Sequence, residues 1–338
     1  MPVELAEPVV PASTQALSFA RTVDRRLLHR YNLSVVFLTD LHRSGQSEFV
    51  AAALLPARHP HYTSHTGAAG RIPDPMLLLE CCRQAETYAA HVLFDVDLET
   101  RFVLRSWSAT FDLDRMADLQ HGQLELVIAA TTAGARRVAE RLRALDYDMR
   151  LLVTGQQVGR VRMSVAYVPP DAYAVLRNRG RDQPPPSSHA RPAVITGRPV
   201  DPHRVGRVHA TDTVLLDAAA SHGRVSAILR LPLENPSLFD HPQDHVPGMV
   251  LVEAARQLAT LATARWGAGA PDRGVMTAMD GSFSAYADLD ELITLTARRA
   301  GDDGSAVEVT VQQRGADVAR VRVDLRRVPG RHQAGGVA

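Results

Sequence analysis

Residues Leu238 to Gln257 read L-F-D-H-P-Q-D-H-V-P-G-M-V-L-V-E-A-A-R-Q. A loop with two histidines, His241 and His245, runs into Pro247-Gly248 and then into apolar residues at helical spacing. In the other half of the chain, Asp74 to Ala85 reads D-P-M-L-L-L-E-C-C-R-Q-A, and the two stretches align without a gap. Met76 falls on Met249, Glu80 on Glu253, Arg83 on Arg256 and Gln84 on Gln257. The chain is therefore one unit written twice. In each copy a His- and Pro-rich loop leads into a single long helix. Alternating strands follow: Phe102 to Phe111 and Val158 to Val168 in the first, then Leu292 to Arg298, Ala306 to Gln312 and Val318 to Leu325 in the second. One helix among a run of antiparallel strands predicts an α+β fold rather than βαβ repetition.

The helices carry a second regularity. Glu253, Arg256, Gln257 and Thr260 share one narrow stripe, as do Glu80, Arg83, Gln84 and Thr87, and the remaining positions are largely apolar. The plain reading is the solvated face of an amphipathic helix. The apolar arc is broad for a surface helix, however, which points to a helix wrapped by a sheet with its polar stripe partly buried. A buried Glu-Arg-Gln stripe must be hydrogen-bonded or functional.

The chain has 338 residues and a net charge of +1, and all 38 of its basic residues are arginine. Without lysine there is no Schiff-base chemistry, no phosphate-loop lysine and no Ser-Lys hydrolase. A near-neutral balance argues against a nucleic-acid partner. No apolar run has the length of a membrane span and the N-terminus lacks a signal pattern, so a cytoplasmic location is expected. The two cysteines, Cys81 and Cys82, are adjacent, which rules out ordinary disulfide geometry between them and suggests buried core fillers. Neither CxxC nor HExxH occurs, and no metal or cofactor is expected. The stretch Thr154 to Val161 has only Gly155 and Gly159 and reads as a hairpin turn rather than a nucleotide loop. Length and composition place a loose, proline-bearing start at residues 1–14, a first unit at residues 15–176, a Pro-rich linker at 177–192 around Pro184 to Pro186, a second unit at 193–328 and a loose tail at 329–338.

A loop His, a Pro-Gly at a helix start and a Glu further along the helix resemble the hotdog-fold dehydratases and thioesterases of acyl-carrier-protein chemistry. Together with L-H-R at Leu28 to Arg30, V-F-L-T-D at Val36 to Asp40 and D-P-M-L-L-L-E-C-C-R-Q, the Leu238 to Gln257 stretch is similar to the A-factor biosynthesis (AfsA-like) family. The likeness extends over roughly residues 20 to 328. It implies a double hotdog, two tandem units each with a long helix wrapped by an antiparallel sheet. It further implies transfer of a β-ketoacyl group from an acyl carrier protein to a hydroxyl of dihydroxyacetone phosphate, after which the ester cyclises toward a γ-butyrolactone-type signal. Two halves of this kind pair into a pseudo-dimer, so the chain is expected as a monomer or as a dimer of such units.

Under this resemblance His241 or His245 serves as the base, since imidazole titrates near neutrality. Glu253 or Glu80 is the working carboxylate, and the amide of Gly248 or Met249 is the oxyanion donor. The substrate phosphate, with no lysine available, falls to arginine, with Arg256 and Arg83 on the stripes, flanked by Gln257, Gln84 and His65. Each role has a plainer counterpart. His241 braces its loop, Asp244 forms a turn, Gly248 permits close backbone approach, and Arg256 and Gln257 only satisfy Glu253. The first-half loop is longer, carries His61 and His65, and has Asp74-Pro75 where the second has Pro-Gly. One competent site is therefore expected, built on the second-half loop. A dehydratase or thioesterase of the same fold, or a non-catalytic acyl-binding protein, are the competing readings.

Overall fold

The computed structural model describes residues 17–119, 122–190, 196–301 and 305–328. The two expected loose ends, residues 1–14 and 329–338, lie outside the described residues, as do positions 191 and 192 of the expected linker. The first half contains β1 (Leu38–Arg43), β2 (Glu48–Leu55), α1 (Pro75–Phe94), β3 (Arg101–Phe111), the short α2 (Leu113–Asp118), β4 (Leu124–Val138), β5 (Arg141–Val153) and β6 (Gln156–Val168). After α3 (Pro170–Asn178) the second half follows with β7 (Leu215–Ser221), β8 (Arg224–Leu229), α4 (Gly248–Arg265), β9 (Gly274–Phe283), β10 (Ile293–Arg299), β11 (Ala306–Gln313) and β12 (Ala316–Arg327).

The strands form one antiparallel sheet in the order β1-β2-β4-β5-β6-β3-β9-β12-β11-β10-β8-β7. The halves meet at β3 and β9, where Ser106 to Thr110 pair with Ser282 to Ala278. Each half is a hotdog, and the chain is the expected double hotdog. The strands read from the sequence fall within one or two residues of β3, β6, β10, β11 and β12, because their alternation is that of half-buried strands, as in β11 with its alternately buried positions. Thr154 and Gly155, both at positive φ, make the two-residue turn between β5 and β6, and β6 begins immediately after it.

Both long helices are engulfed. Every residue from Met249 to Thr263 of α4 is buried, and so are Glu80, Gln84 and Thr87 of α1, so the stripe is interior and not a solvated face. Cys81 and Cys82 are free and fully buried in this core. The helices begin differently. At α1 the Asp74 carboxylate accepts from the Met76 N–H and Pro75 occupies the first turn. At α4 the preceding residue is Pro247, which offers no side-chain cap. Among the described residues no helix is long and apolar enough to cross a membrane.

Candidate active site

The same polar network is built twice, one copy in each half. In the second copy Glu253 accepts from Arg207 (Nη2 2.8 Å, Nε 3.1 Å), from Arg256 (Nη2 2.7 Å, Nε 2.9 Å) and from Gln257 Nε2 at 2.5 Å. Gln257 then ties the helix to its strand, accepting from the Val214 N–H and donating to the Asp212 carbonyl. In the first copy Glu80 accepts from Arg30 Nη2 at 2.5 Å, from Arg83 at 2.9 Å twice and from Gln84 at 2.7 Å, while Gln84 holds the backbone of Val35, Phe37 and Leu38. Burial would raise both carboxyl groups, but the paired guanidinium charges outweigh it. Glu80 is lowered to about 2, and Glu253 lies well below the usual carboxylate range. Both are ionised and occupied by donors, which suits them to hold arginines in place rather than to accept a substrate proton.

The loops cross over. The first-half loop lies against α4 and fills its copy with its own side chains. His61 pairs with Asp212 at 2.9 Å, His65 with Asp74 at 2.7 Å, and Arg207 donates to the His61 carbonyl at 2.7 Å. The second-half loop lies against α1 and leaves a cavity of about 460 Å³. Its walls include Arg30, Arg83 and Glu86 from the first copy, Arg101, Phe102 and Trp107 on β3, His241 and His245 in the loop, and Gly248 and Met249 at the start of α4.

Two features of this cavity bear on acyl chemistry. The N–H groups of Gly248 and Met249 have no hydrogen-bond partner among the described residues, as expected for an uncapped first turn, and they sit at the positive end of α4. His245 Nδ1 lies 2.6 Å from Asp244 Oδ1, and Asp244 also accepts from Tyr173 Oη at 2.7 Å and from Arg177 Nε at 3.2 Å. Burial would raise the Asp244 carboxyl, but these bonds hold it well below its ordinary value. An anionic acceptor at Nδ1 fixes the tautomer and leaves Nε2 as the basic nitrogen. His241 differs. Its Nε2 meets the Gln243 amide at 2.6 Å, its buried Nδ1 lies 3.6 Å from Asp240 Oδ2, beyond hydrogen-bond reach, and burial beside Arg30 and Arg83 depresses its protonation against the pull of Asp240.

The sequence profile of the A-factor biosynthesis hotdog domain matches residues 12–169 and 189–329. This chain belongs to that family. The 2-oxo-3-(phosphooxy)propyl 3-oxoalkanoate synthase of Streptomyces virginiae is 32% identical over 297 residues, covering 86% of this chain and 93% of the relative. The synthase of the same name from Streptomyces coelicolor is 29% identical, covering 75% and 78%. Among solved structures, the dehydratase domain from the CurF module of curacin polyketide synthase aligns at a TM-score of 0.47 and 12% identity, covering 90% of this chain and all of that one.

In this A-factor biosynthesis hotdog chain the fold divides the residues singled out by sequence into two groups. His241, His245, Gly248, Met249 and Arg83 come together around the cavity, with Glu80 and Gln84 directly behind its wall. Glu253, Arg256, Gln257 and His65 belong to the second copy and do not line it. Asp244, read as a turn former, is the partner of His245. Sequence reading passed over Arg30, Arg207, Arg101 and Glu86. Arg30 and Arg207 are equivalent to each other, but the loops between them and their helices differ in length, so an ungapped comparison of the halves does not align them. Glu86 stands where α4 has Ala259. It is buried, bonded to Tyr167 Oη at 2.8 Å and to Thr87 Oγ1 at 3.0 Å, and burial without a paired cation raises it to about 7.

Proposed function

We propose that the chain transfers a β-ketoacyl group from the thioester of an acyl carrier protein to the primary hydroxyl of dihydroxyacetone phosphate. The product named for the Streptomyces relatives is the ester of those two parts. The observation that carries the assignment to this cavity is the meeting, in one space, of an Asp-oriented imidazole and an uncapped helix N-terminus. The thioester oxygen rests against the N–H groups of Gly248 and Met249, where negative charge developing on it is stabilised. His245 Nε2 takes the proton of the alcohol as its oxygen bonds to the thioester carbon. The tetrahedral adduct collapses with cleavage of the C–S bond, and the imidazolium returns its proton to the departing thiolate. Asp244 stabilises the intervening imidazolium, Tyr173 and Arg177 hold Asp244, and Glu80 with Gln84 positions Arg30 and Arg83. His241 supports the loop.

The test supplies purified chain with a β-ketoacyl carrier protein, with and without dihydroxyacetone phosphate, and follows thiol release and ester by mass spectrometry. Ester formation that requires dihydroxyacetone phosphate and is lost in His245→Gln is the expected result. Hydrolysis at the same rate without the alcohol would move the chain to the thioesterase class, and an untouched β-ketoacyl thioester with water loss from a β-hydroxyacyl one would move it to the dehydratase class.

A further inference from the structure

The two copies of the Glu-Arg-Gln network differ in charge at equivalent positions. Around Arg207 and Arg256 the second copy places Glu253, Asp74 and Asp212, with Asp74 Oδ2 3.9 Å from Arg207 Nη1 and Asp212 bonded to His61 beside it. The residue of the first copy that corresponds to Asp74 by helix alignment is Pro247. The one that corresponds to Asp212, by the carbonyl each gives to its helix glutamine, is Val35. Where the second copy carries two carboxylates, the first carries none. Asp240 comes near Arg30 from the second-half loop, but its oxygens accept the backbone N–H groups of Tyr31 and Asn32 at 2.6 and 2.8 Å.

The hydrogen bonds tell the same story. Arg207 directs Nε and Nη2 at Glu253 and Nη1 at the His61 carbonyl, with the His61 and His65 rings at 3.3 Å. Its counterpart Arg30 is more than nine-tenths buried and lines the cavity, yet among the described residues its guanidinium bonds Glu80 alone and its Nε has no partner. The guanidinium of Arg101, also on the cavity wall, makes no hydrogen bond or ion pair among the described residues and faces the Tyr173 ring at 5.8 Å. Arg30, Arg83 and Arg101 therefore face the cavity with cationic surplus, and one buried guanidinium donor awaits an acceptor. A buried donor left unpaired is costly, so a site that keeps one is built for a partner that arrives from solution.

We propose that Arg30 and Arg101, with Arg83 beside them, form a phosphate subsite in the cavity, the bound phosphate standing where Asp74 and Asp212 stand in the second copy. This rests on the acyl-transfer reading for the origin of the phosphate, which is either the monoester of the alcohol substrate or the diester of the carrier's pantetheine arm. Guanidinium suits both, presenting paired N–H donors to two oxygens.

The experiment measures two selectivity ratios, kcat/KM for dihydroxyacetone phosphate over dihydroxyacetone and for acyl-phosphopantetheine over acyl-pantetheine, in wild type, Arg30→Lys, Arg101→Gln and Arg207→Lys. Arg30→Lys keeps the charge opposite Glu80 and removes the fork, and Arg101→Gln alters a guanidinium whose one contact among the described side chains is the Tyr173 ring. Each is expected to lower one ratio by about 10- to 100-fold, the loss that accompanies a charged hydrogen bond. The ratio that falls identifies the phosphate held. Arg207→Lys is expected to leave both ratios unchanged. Both ratios intact in Arg30→Lys and Arg101→Gln, or an equal fall in Arg207→Lys, overturns the subsite. Titration of the wild type with inorganic phosphate, followed by calorimetry, is independent of turnover. Phosphate binding that weakens in the two variants, in a chain that transfers no acyl group, would retain the subsite and discard the acyl-transfer reading.

Discussion

Glu253→Gln separates the closed copy of the network from the copy that walls the cavity. Glu253 is fully buried and accepts five hydrogen bonds from Arg207, Arg256 and Gln257. A glutamine of the same shape turns one acceptor into a donor facing donors and leaves two buried guanidinium groups without their shared counter-charge. Removing one partner of a buried ion pair costs about 3–5 kcal/mol. Asp74 and Asp212 remain nearby as partial compensation, which favours the lower end, about 3 kcal/mol. For a chain of this size that is a fall in Tm of very roughly 6–12 °C, at about 2–4 °C per kcal/mol. The pH dependence fixes the sign. The folded carboxyl is depressed, so its contribution is complete above the unfolded value near 4.3 and is lost as pH falls through the folded value. Wild type and variant should therefore differ at neutral pH and converge in acid. Since Glu253 does not line the cavity, kcat/KM for acyl transfer by the folded variant at 20 °C should remain within about 3-fold of wild type, as for a site away from the chemistry. Differential scanning calorimetry and the transfer assay together decide. Lost activity with an unchanged Tm would refute the reasoning and place the working carboxylate in the second copy.

Further predictions concern other residues. Asp244→Asn, which no longer imposes the Nδ1–H tautomer on His245, should lower kcat by on the order of 10²–10⁴, and an unaltered kcat would remove His245 from the base role. Glu86 is raised to about 7 in the folded state, so it destabilises the protein as pH rises above the unfolded value near 4.3, and the penalty is complete above about 7. Glu86→Gln should consequently be more stable than wild type at pH 8, by up to about 3 kcal/mol, and indistinguishable from it near pH 4. Chemical denaturation at the two pH values measures this, and an equal gain at both would contradict it. Cys81 and Cys82 are fully buried, and burial pushes both thiols up, so neither should react with a thiol reagent until the protein unfolds. Stoichiometric labelling under native conditions would show the core to be open.

The duplicated architecture was legible because periodicity survives in both halves. The motif around Glu80 and Glu253 aligns without a gap, and β11 and β12 alternate cleanly. The stripe is unusual in the sequence itself, but nothing local shows which loop covers which helix, since crossing loops are a property of how the halves pair. For the same reason Arg83 and Arg256, equal in sequence, have unequal surroundings, one at a cavity wall and the other in a network closed by His61 and His65. Arg30 and Arg207 were hidden by unequal loop lengths, and Arg101 by its ordinary setting in an alternating strand. Glu86 follows directly on the repeated motif, and only the fold shows that it forms no ion pair among the described residues while its neighbour Thr87 belongs to a stripe.

The covalent joining of the halves has a consequence for how such a protein changes. In a dimer of identical units every substitution in a loop is made twice, so neither of two symmetric sites can be altered alone. Within one chain they are free to diverge. Here the first-half loop is a bolt, its His61 and Ser64 locked to Asp212 and Asn235 beside Arg207, whereas the second-half loop leaves the Nε of Arg30 without an acceptor among the described residues. Variation in the first loop should consequently be read through expression level and heat tolerance, and variation in the second through which molecules the protein accepts.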